Sequence, residues 1–211
     1  MLSQPGPGVA GWGADDDLAG RHMGVPMSDH TVITEDGLRI HVTVRGRGDA
    51  PLTVLLSHCW TAEESDWHYQ VTDLLARYGR DVRVITWDHR GHGRSDRAPE
   101  SACTIPNLAR DLGLVVDTCA PEGPLVVAGH SVGGMTITAI PEERPDLVPR
   151  IVGTLFVSTT SGELSKVTLG LPAVAGALLR DRLPFILANR SRMLSLSRRE
   201  KFPTIERQIA R

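Results

Sequence analysis

Val126-Val127-Ala128-Gly129-His130-Ser131-Val132-Gly133-Gly134-Met135 is the stretch whose reading decides the fold. An apolar strand runs into Gly129, a G-x-S-x-G turn follows, and a helix begins at Val132. The turn is so sharp that side chains at Gly129 and Gly133 would collide with neighbouring backbone, so both positions are glycine. It lifts the Ser131 hydroxyl above the sheet edge, with a helix N-terminus beneath it. The helix dipole and the Val132 N–H then face the place where charge would develop on a bound carbonyl oxygen. Ser131 is the candidate nucleophile, and Gly129, His130 and Gly133 form its turn.

Working outward, the chain alternates strands with helices. His30 to Thr34 and Leu38 to Val44 alternate apolar with polar residues around Asp36-Gly37, a hairpin signal. Thr53 to Ser57 is apolar enough to be buried on both faces. A helix is expected over Glu63 to Tyr78, with Val71, Leu74, Leu75 and Tyr78 at three- and four-residue spacing. Val82 to Trp87 reads as a buried strand. Pro106 to Cys119 reads as a helix carrying Leu108, Leu112, Val115 and Val116 along one stripe. Leu125 to Ala128 is a strand, Val132 to Ile140 a helix, and Ile151 to Ser158 a further strand. This order predicts an α/β fold: a mostly parallel sheet with helices on both faces, after an N-terminal β-hairpin.

Residues 1–27 are rich in turn formers and poor in periodic apolar residues, which predicts a disordered leader. Residues 28–159 form the expected core. From 160 to 211 the pattern changes to helical segments broken by Pro172, Pro184 and Pro203, without another Val/Ile-rich strand.

The 211 residues, 41% hydrophobic, suit one substantial core. A net charge of -2 and an aromatic content of 4% give no basis for nucleic-acid binding. The three cysteines, Cys59, Cys103 and Cys119, are widely spaced and lack a C-x-x-C pair, which argues against a disulfide framework or a zinc site. No metal and no cofactor are expected. The N-terminus lacks a secretory signal, and the run Val167 to Leu179 is too short to span a bilayer. A cytoplasmic, reduced protein follows.

Two companion segments accompany the serine turn. Ser57-His58-Cys59-Trp60 follows the Thr53–Leu56 strand, and Trp87-Asp88-His89-Arg90-Gly91-His92-Gly93-Arg94-Ser95 follows the next. These three signatures, in this order, resemble the α/β-hydrolase family and its esterase/lipase-like branch, over about residues 29 to 160. The resemblance implies that Ser131 attacks an ester carbonyl and that the N–H groups of Trp60 and Val132 form the oxyanion hole. It implies that His58 shapes the oxyanion loop, with Cys59 standing where the family normally has glycine. The Asp88–Ser95 loop is architectural by the same resemblance. It further implies that residues 160–211 are part of a helical cap and that the last strands are missing. A serine at position 131 counts against epoxide and haloalkane chemistry, which in this family uses aspartate there.

A serine needs a histidine to take its proton. The eight histidines lie at 22, 30, 41, 58, 68, 89, 92 and 130, and none follows Ser131, although the fold's chain order is Ser, acid, His. Three explanations compete. The sequence is the N-terminal portion of a longer hydrolase; or it is a short protein that binds a ligand or partner without hydrolysis; or His58 or His92 is an unconventional base. The expected partners are a small-molecule ester or other acyl compound, and a second chain at an exposed sheet edge. Thioesterases and cofactor-free haloperoxidases share the fold and stay open as alternatives.

Overall fold

The structure, a computed structural model, describes residues 25–161. The chain divides into two units, Met1–Thr159 and Thr160–Arg211, and the architecture below belongs to the first. The leader before residue 25 and the cap segment beyond residue 161 lie outside the described residues.

The hairpin turns where its residues allow it. Gly37 takes φ 83°, and Thr34 closes the loop by accepting the Leu38 N–H on Oγ1 at 2.8 Å while donating to Asp36 Oδ1 at 2.6 Å. Strands β1 (Met27–Ile33) and β2 (Arg39–Arg45) pair antiparallel on either side, Met27 opposite Arg45 and Ile33 opposite Arg39. The ladder starts at Met27, earlier than the side-chain alternation indicates, because backbone pairing does not depend on the pattern of polarity. Strands β3 (Leu52–Ser57), β4 (Val82–Trp87), β5 (Leu125–His130) and β6 (Ile151–Val157) complete a six-stranded sheet of order β1-β2-β4-β3-β5-β6. β2 meets β4 antiparallel, and the remaining pairs are parallel.

The helices follow from this order. β3 connects leftward to β4, whereas β4 connects rightward past β3 to β5, and β5 rightward to β6. Right-handed crossovers therefore place the first helix on one face and the later ones on the other. Helix α1 (His68–Tyr78) covers one face, where Val71 and Leu75 pack with Trp67, Val54, Leu56, Val84 and Ala128. Helix α2 (Ile105–Cys119) and α3 (Val132–Thr138) cover the other, where Leu112, Val115, Val116 and Ile137 pack on Leu55, Ile85, Trp87 and Val127. Successive strand residues thus alternate between two cores, as a sheet buried on both faces requires.

Two helical expectations are modified by packing. The stretch expected to be helical from Glu63 opens with a 3-10 turn, Glu64–Trp67, because the Glu64 N–H donates to the buried Asp88 carboxylate at 2.8 Å. Tyr78, assigned to the apolar stripe, is 56% exposed and lies outside the core. The helix after Ser131 stops at Thr138, and α4 (Ile140–Glu143) is a separate short turn. Pro141 has no N–H to offer the previous turn, so the backbone cannot continue unbroken.

Candidate active site at the ends of β3 and β5

β3 and β5 are parallel neighbours with connections that leave in opposite directions, so their carboxyl ends flank a crevice of the kind that holds ligands in open α/β sheets. Ser131 follows β5 and His58-Cys59-Trp60 follows β3, which brings two of the three sequence signatures to one place. Ser131 has φ 51° and ψ -113°, and its side chain makes no capping hydrogen bond to α3. A Cβ on Gly129 would lie 2.3 Å from the Gly133 carbonyl carbon, and one on Gly133 would lie 2.2 Å from the Ser57 carbonyl oxygen. The two glycines therefore do different jobs. Gly129 lets the turn close on itself, and Gly133 lets the elbow touch the end of β3.

The strained residue is held from both sides. The Ser131 N–H donates to the Val157 carbonyl at 3.0 Å. Its carbonyl accepts from Gly134 N–H at 2.9 Å and from the Thr159 hydroxyl at 2.6 Å. Val157 and Thr159 were not singled out by sequence reasoning, and nothing in their local pattern marks them. Their contact with Ser131 comes from the β5–β6 pairing, His130 opposite Val157.

The loop after β3 is organised around histidines. His58 is 1% exposed. Its Nδ1 lies 2.7 Å from the Cys59 carbonyl and donates to it, which leaves Nε2 to accept from the His89 N–H at 2.9 Å. Burial pulls its pKa down to about 4, so the ring is neutral at pH 7. The His89 ring packs edge-on against both His58 and Trp87, and its Nε2 donates to the His58 carbonyl at 2.9 Å. His92 accepts the Thr61 N–H on Nε2 at 3.3 Å and lies 3.1 Å from the Arg90 carbonyl through Nδ1. Both nitrogens of His58 and of His92 are thus committed to backbone partners. Among the described residues no hydrogen bond joins a histidine to the Ser131 hydroxyl, and no group of His, Cys, Asp and Glu is arranged to hold a metal ion.

Cys59 stands without strain in the glycine position. Outside glycine, positive φ occurs among the described residues at Thr61 (68°), Ser131 and Ser158 (45°), not at Cys59. Burial pushes the Cys59 thiol up, which keeps it protonated and a poor nucleophile. A turn from the Cys59 carbonyl to the Ala62 N–H, 3.3 Å, carries Trp60, a residue that is 37% exposed. Neither Trp60 nor Val132 donates its N–H to a described residue. α3 has only seven residues, so its dipole is weaker than a longer helix would supply.

The loop after β4 is a brace. The buried Asp88 carboxylate accepts from the Glu64 N–H and from the Arg94 N–H, each at 2.8 Å. Arg90, 3% exposed, makes a two-pronged ion pair with buried Asp111 on α2, both contacts 2.7 Å, and reaches Asp36 in the hairpin turn at 2.8 Å. Asp36 and Asp111 carry no sequence signal for this pairing. A cavity of about 240 Å³ lies between β1 and α1, lined by residues including Met27, Arg45, His68 and Val71. It shares no residue with the elbow or with the His58–Trp60 loop.

A two-faced, mostly parallel sheet with a strained serine between a central strand and a short helix defines an α/β protein with a sharp strand–turn–helix at Ser131. A family model described as "Alpha/beta hydrolase family" matches residues 54–208, and the chain belongs to that family. It is 35% identical over 104 residues to a non-heme chloroperoxidase of Streptomyces lividans, covering 49% of this chain and 36% of that protein. It is 30% identical over 145 residues to the mouse (Mus musculus) sn-1-specific diacylglycerol lipase ABHD11, covering 65% of this chain and 43% of that one. A thermophilic esterase from Thermogutta terrifontis superposes with a TM-score of 0.51 at 26% identity, over 63% of this chain and 46% of the esterase. The chain therefore spans less than half the length of each of these relatives.

Proposed function

We propose that the protein acts on carboxylic esters as a serine hydrolase, with Ser131 forming the acyl-enzyme. The observation that carries this reading is a serine at φ 51°, where glycine would sit without strain. A non-glycine residue there costs on the order of 1–3 kcal/mol, and a serine kept at that cost supports a role for its hydroxyl. In the proposed step the Ser131 oxygen attacks the ester carbonyl, the serine proton passes to a base, and the alcohol departs on collapse of the tetrahedral intermediate. The N–H groups of Trp60 and Val132, neither engaged by a described residue, hold the negative oxygen. His58 acts indirectly: it holds the Cys59 carbonyl and the His89 N–H, which sets the path of the loop carrying Trp60. The elbow residues Gly129, His130 and Gly133 supply the turn. No cofactor enters the reaction.

The lipase and esterase relatives favour a carboxylic ester. The chloroperoxidase relative keeps a cofactor-free oxidative use of the same serine as an alternative, along with thioester hydrolysis.

A second reading has its own observation. Since the rings of His58 and His92 are committed and no described histidine meets Ser131, the chain is also suited to bind an acyl ligand without turning it over. Loss of the general base costs several orders of magnitude in rate, so turnover by the 211-residue chain is expected to be weak. Labelling with a fluorophosphonate probe, alongside p-nitrophenyl acetate hydrolysis, tests the first reading against the second. Ser131-dependent labelling or turnover, absent in Ser131→Ala, supports the hydrolase; equal signals in both proteins overturn it.

A further inference from the structure

The double glycine after Ser131 carries a second constraint. Gly133 is accounted for by the Ser57 carbonyl, but Gly134 lies outside the G-x-S-x-G spacing. A Cβ on Gly134 would lie 2.5 Å from Thr159 Cγ2 and 2.6 Å from both Thr159 Cβ and Oγ1. Thr159 therefore sits against bare backbone at the start of α3, a closeness that only glycine at 134 permits. The chain reaches that place through Ser158, which takes φ 45° directly after β6 ends at Val157. A non-glycine residue in that region is strained, and such strain persists where the surrounding structure imposes a particular geometry.

Residues 157–159 thus hold both peptide groups of Ser131. The Val157 carbonyl accepts the Ser131 N–H at 3.0 Å, and the Thr159 hydroxyl donates to the Ser131 carbonyl at 2.6 Å. The other donors to that carbonyl are the N–H groups of Gly134 and Met135, at 2.9 and 3.1 Å, and both belong to α3. Among the described residues, Thr159 alone holds the carbonyl from outside the helix. The Ser131 carbonyl and the Val132 N–H are the two ends of one planar peptide unit. Fixing the oxygen therefore fixes the direction of the N–H, which points the opposite way. A hydrogen bond to the oxygen also makes the N–H a stronger donor, because linked hydrogen bonds polarise one another.

We propose that Thr159 is a positioning residue: through the Ser131–Val132 peptide group it aims and polarises the Val132 N–H toward the oxygen of a reacting carbonyl. The proposal rests on the reading of Ser131 as nucleophile and of Val132 as an oxyanion donor. An effect passed through that N–H falls on the transition state, where the oxygen becomes negative, and not on capture of the ligand.

Two measurements on the full chain test it. Thr159→Val removes the hydroxyl at nearly constant volume, and Thr159→Ser retains it. In proton–nitrogen correlation spectra, Thr159→Val is expected to move the Val132 amide nitrogen upfield, and Thr159→Ser to return it toward its original position. In fluorophosphonate labelling, Thr159→Val is expected to lower the maximal rate constant about tenfold, less than loss of a direct oxyanion donor would. The half-saturating probe concentration is expected to stay unchanged, and Thr159→Ser to recover most of the rate. A Val132 amide unmoved by Thr159→Val overturns the proposal. So does a labelling rate that Thr159→Val leaves intact, or one that Thr159→Ser fails to recover. An unsubstituted chain that is not labelled at all overturns the nucleophile reading instead, and the amide comparison then decides the role of Thr159 by itself.

Discussion

Ser131 pays for its position in backbone strain, and that strain is measurable. Ser131→Gly removes the Cβ from a φ of 51° and is expected to raise stability in urea unfolding by about 1 kcal/mol, the relief being partly offset by the greater freedom of glycine in the unfolded chain. Ser131→Ala keeps the strain and is expected to be near neutral. Under the proposed role of Ser131, both variants are expected to lose fluorophosphonate labelling, so stability and reactivity would separate at one residue. Gly129→Ala and Gly133→Ala meet backbone at 2.3 and 2.2 Å, and backbone cannot step aside as a flexible side chain can. Each is expected to lose about 3 kcal/mol or more, read as a lowered urea midpoint. The need for glycine at both was legible from the G-x-S-x-G spacing. What Gly133 presses against, the Ser57 carbonyl, was not, because Ser57 is distant in sequence.

Among the elements, the loops after β3 and β4 depend on each other through His58 and His89. His58 has a folded pKa of about 4, below the ordinary value near 6.5. The unfolded chain therefore binds a proton at higher pH than the folded one. The contribution of this histidine to stability is complete above about pH 6.5 and is lost as pH falls from there toward 4, by about 3 kcal/mol in all. Burial also holds His89 well below its ordinary value, so it adds in the same direction. Urea unfolding between pH 7 and pH 4 is expected to show this decline, and His58→Gln is expected to make it shallower. A pH-independent midpoint over that range would contradict the neutral, doubly bonded ring. Arg90 joins three elements in the same manner, tying the β4 loop to α2 and to the hairpin turn. Arg90→Ala leaves Asp111 buried without its partner and is expected to lose 3–5 kcal/mol, about as much as breaking other buried pairs. The D-x-R-G-x-G-x-S spelling made the loop recognisable as a brace. Its partners Asp36 and Asp111 were invisible, because a lone acid in a turn or helix looks like any solvated acid.

Over the whole molecule, protection should follow position in the sheet. β3 and β4 each have a strand on both sides and a helix layer over both faces, so their amides are expected to exchange slowest. β6, with one neighbour among the described strands and exposed apolar side chains, is expected to exchange faster. Hydrogen exchange with mass spectrometry checks the ranking, and slower exchange in β6 than in β3 at low protein concentration would contradict it. No helix among the described residues is long and apolar enough to cross a membrane, and the helices present are instead accounted for by the two cores.

The sequence by itself determined the order of strands and helices, the hairpin, the turn at Ser131 and the family, because each rests on local spacing: alternation, helical stripes, and glycines where backbone must close. Only the tertiary structure decided what those parts meet. It set Val157 and Thr159 on the backbone of Ser131, committed both nitrogens of His58 and His92, and gave Cys59 a backbone without positive φ in the position where the family normally has glycine. It ended α3 early at Pro141. The physical reason is common to all of these. Spacing along a chain records which residues share a strand or a helix face, whereas contacts across parallel strands join residues dozens apart, and no local pattern encodes them.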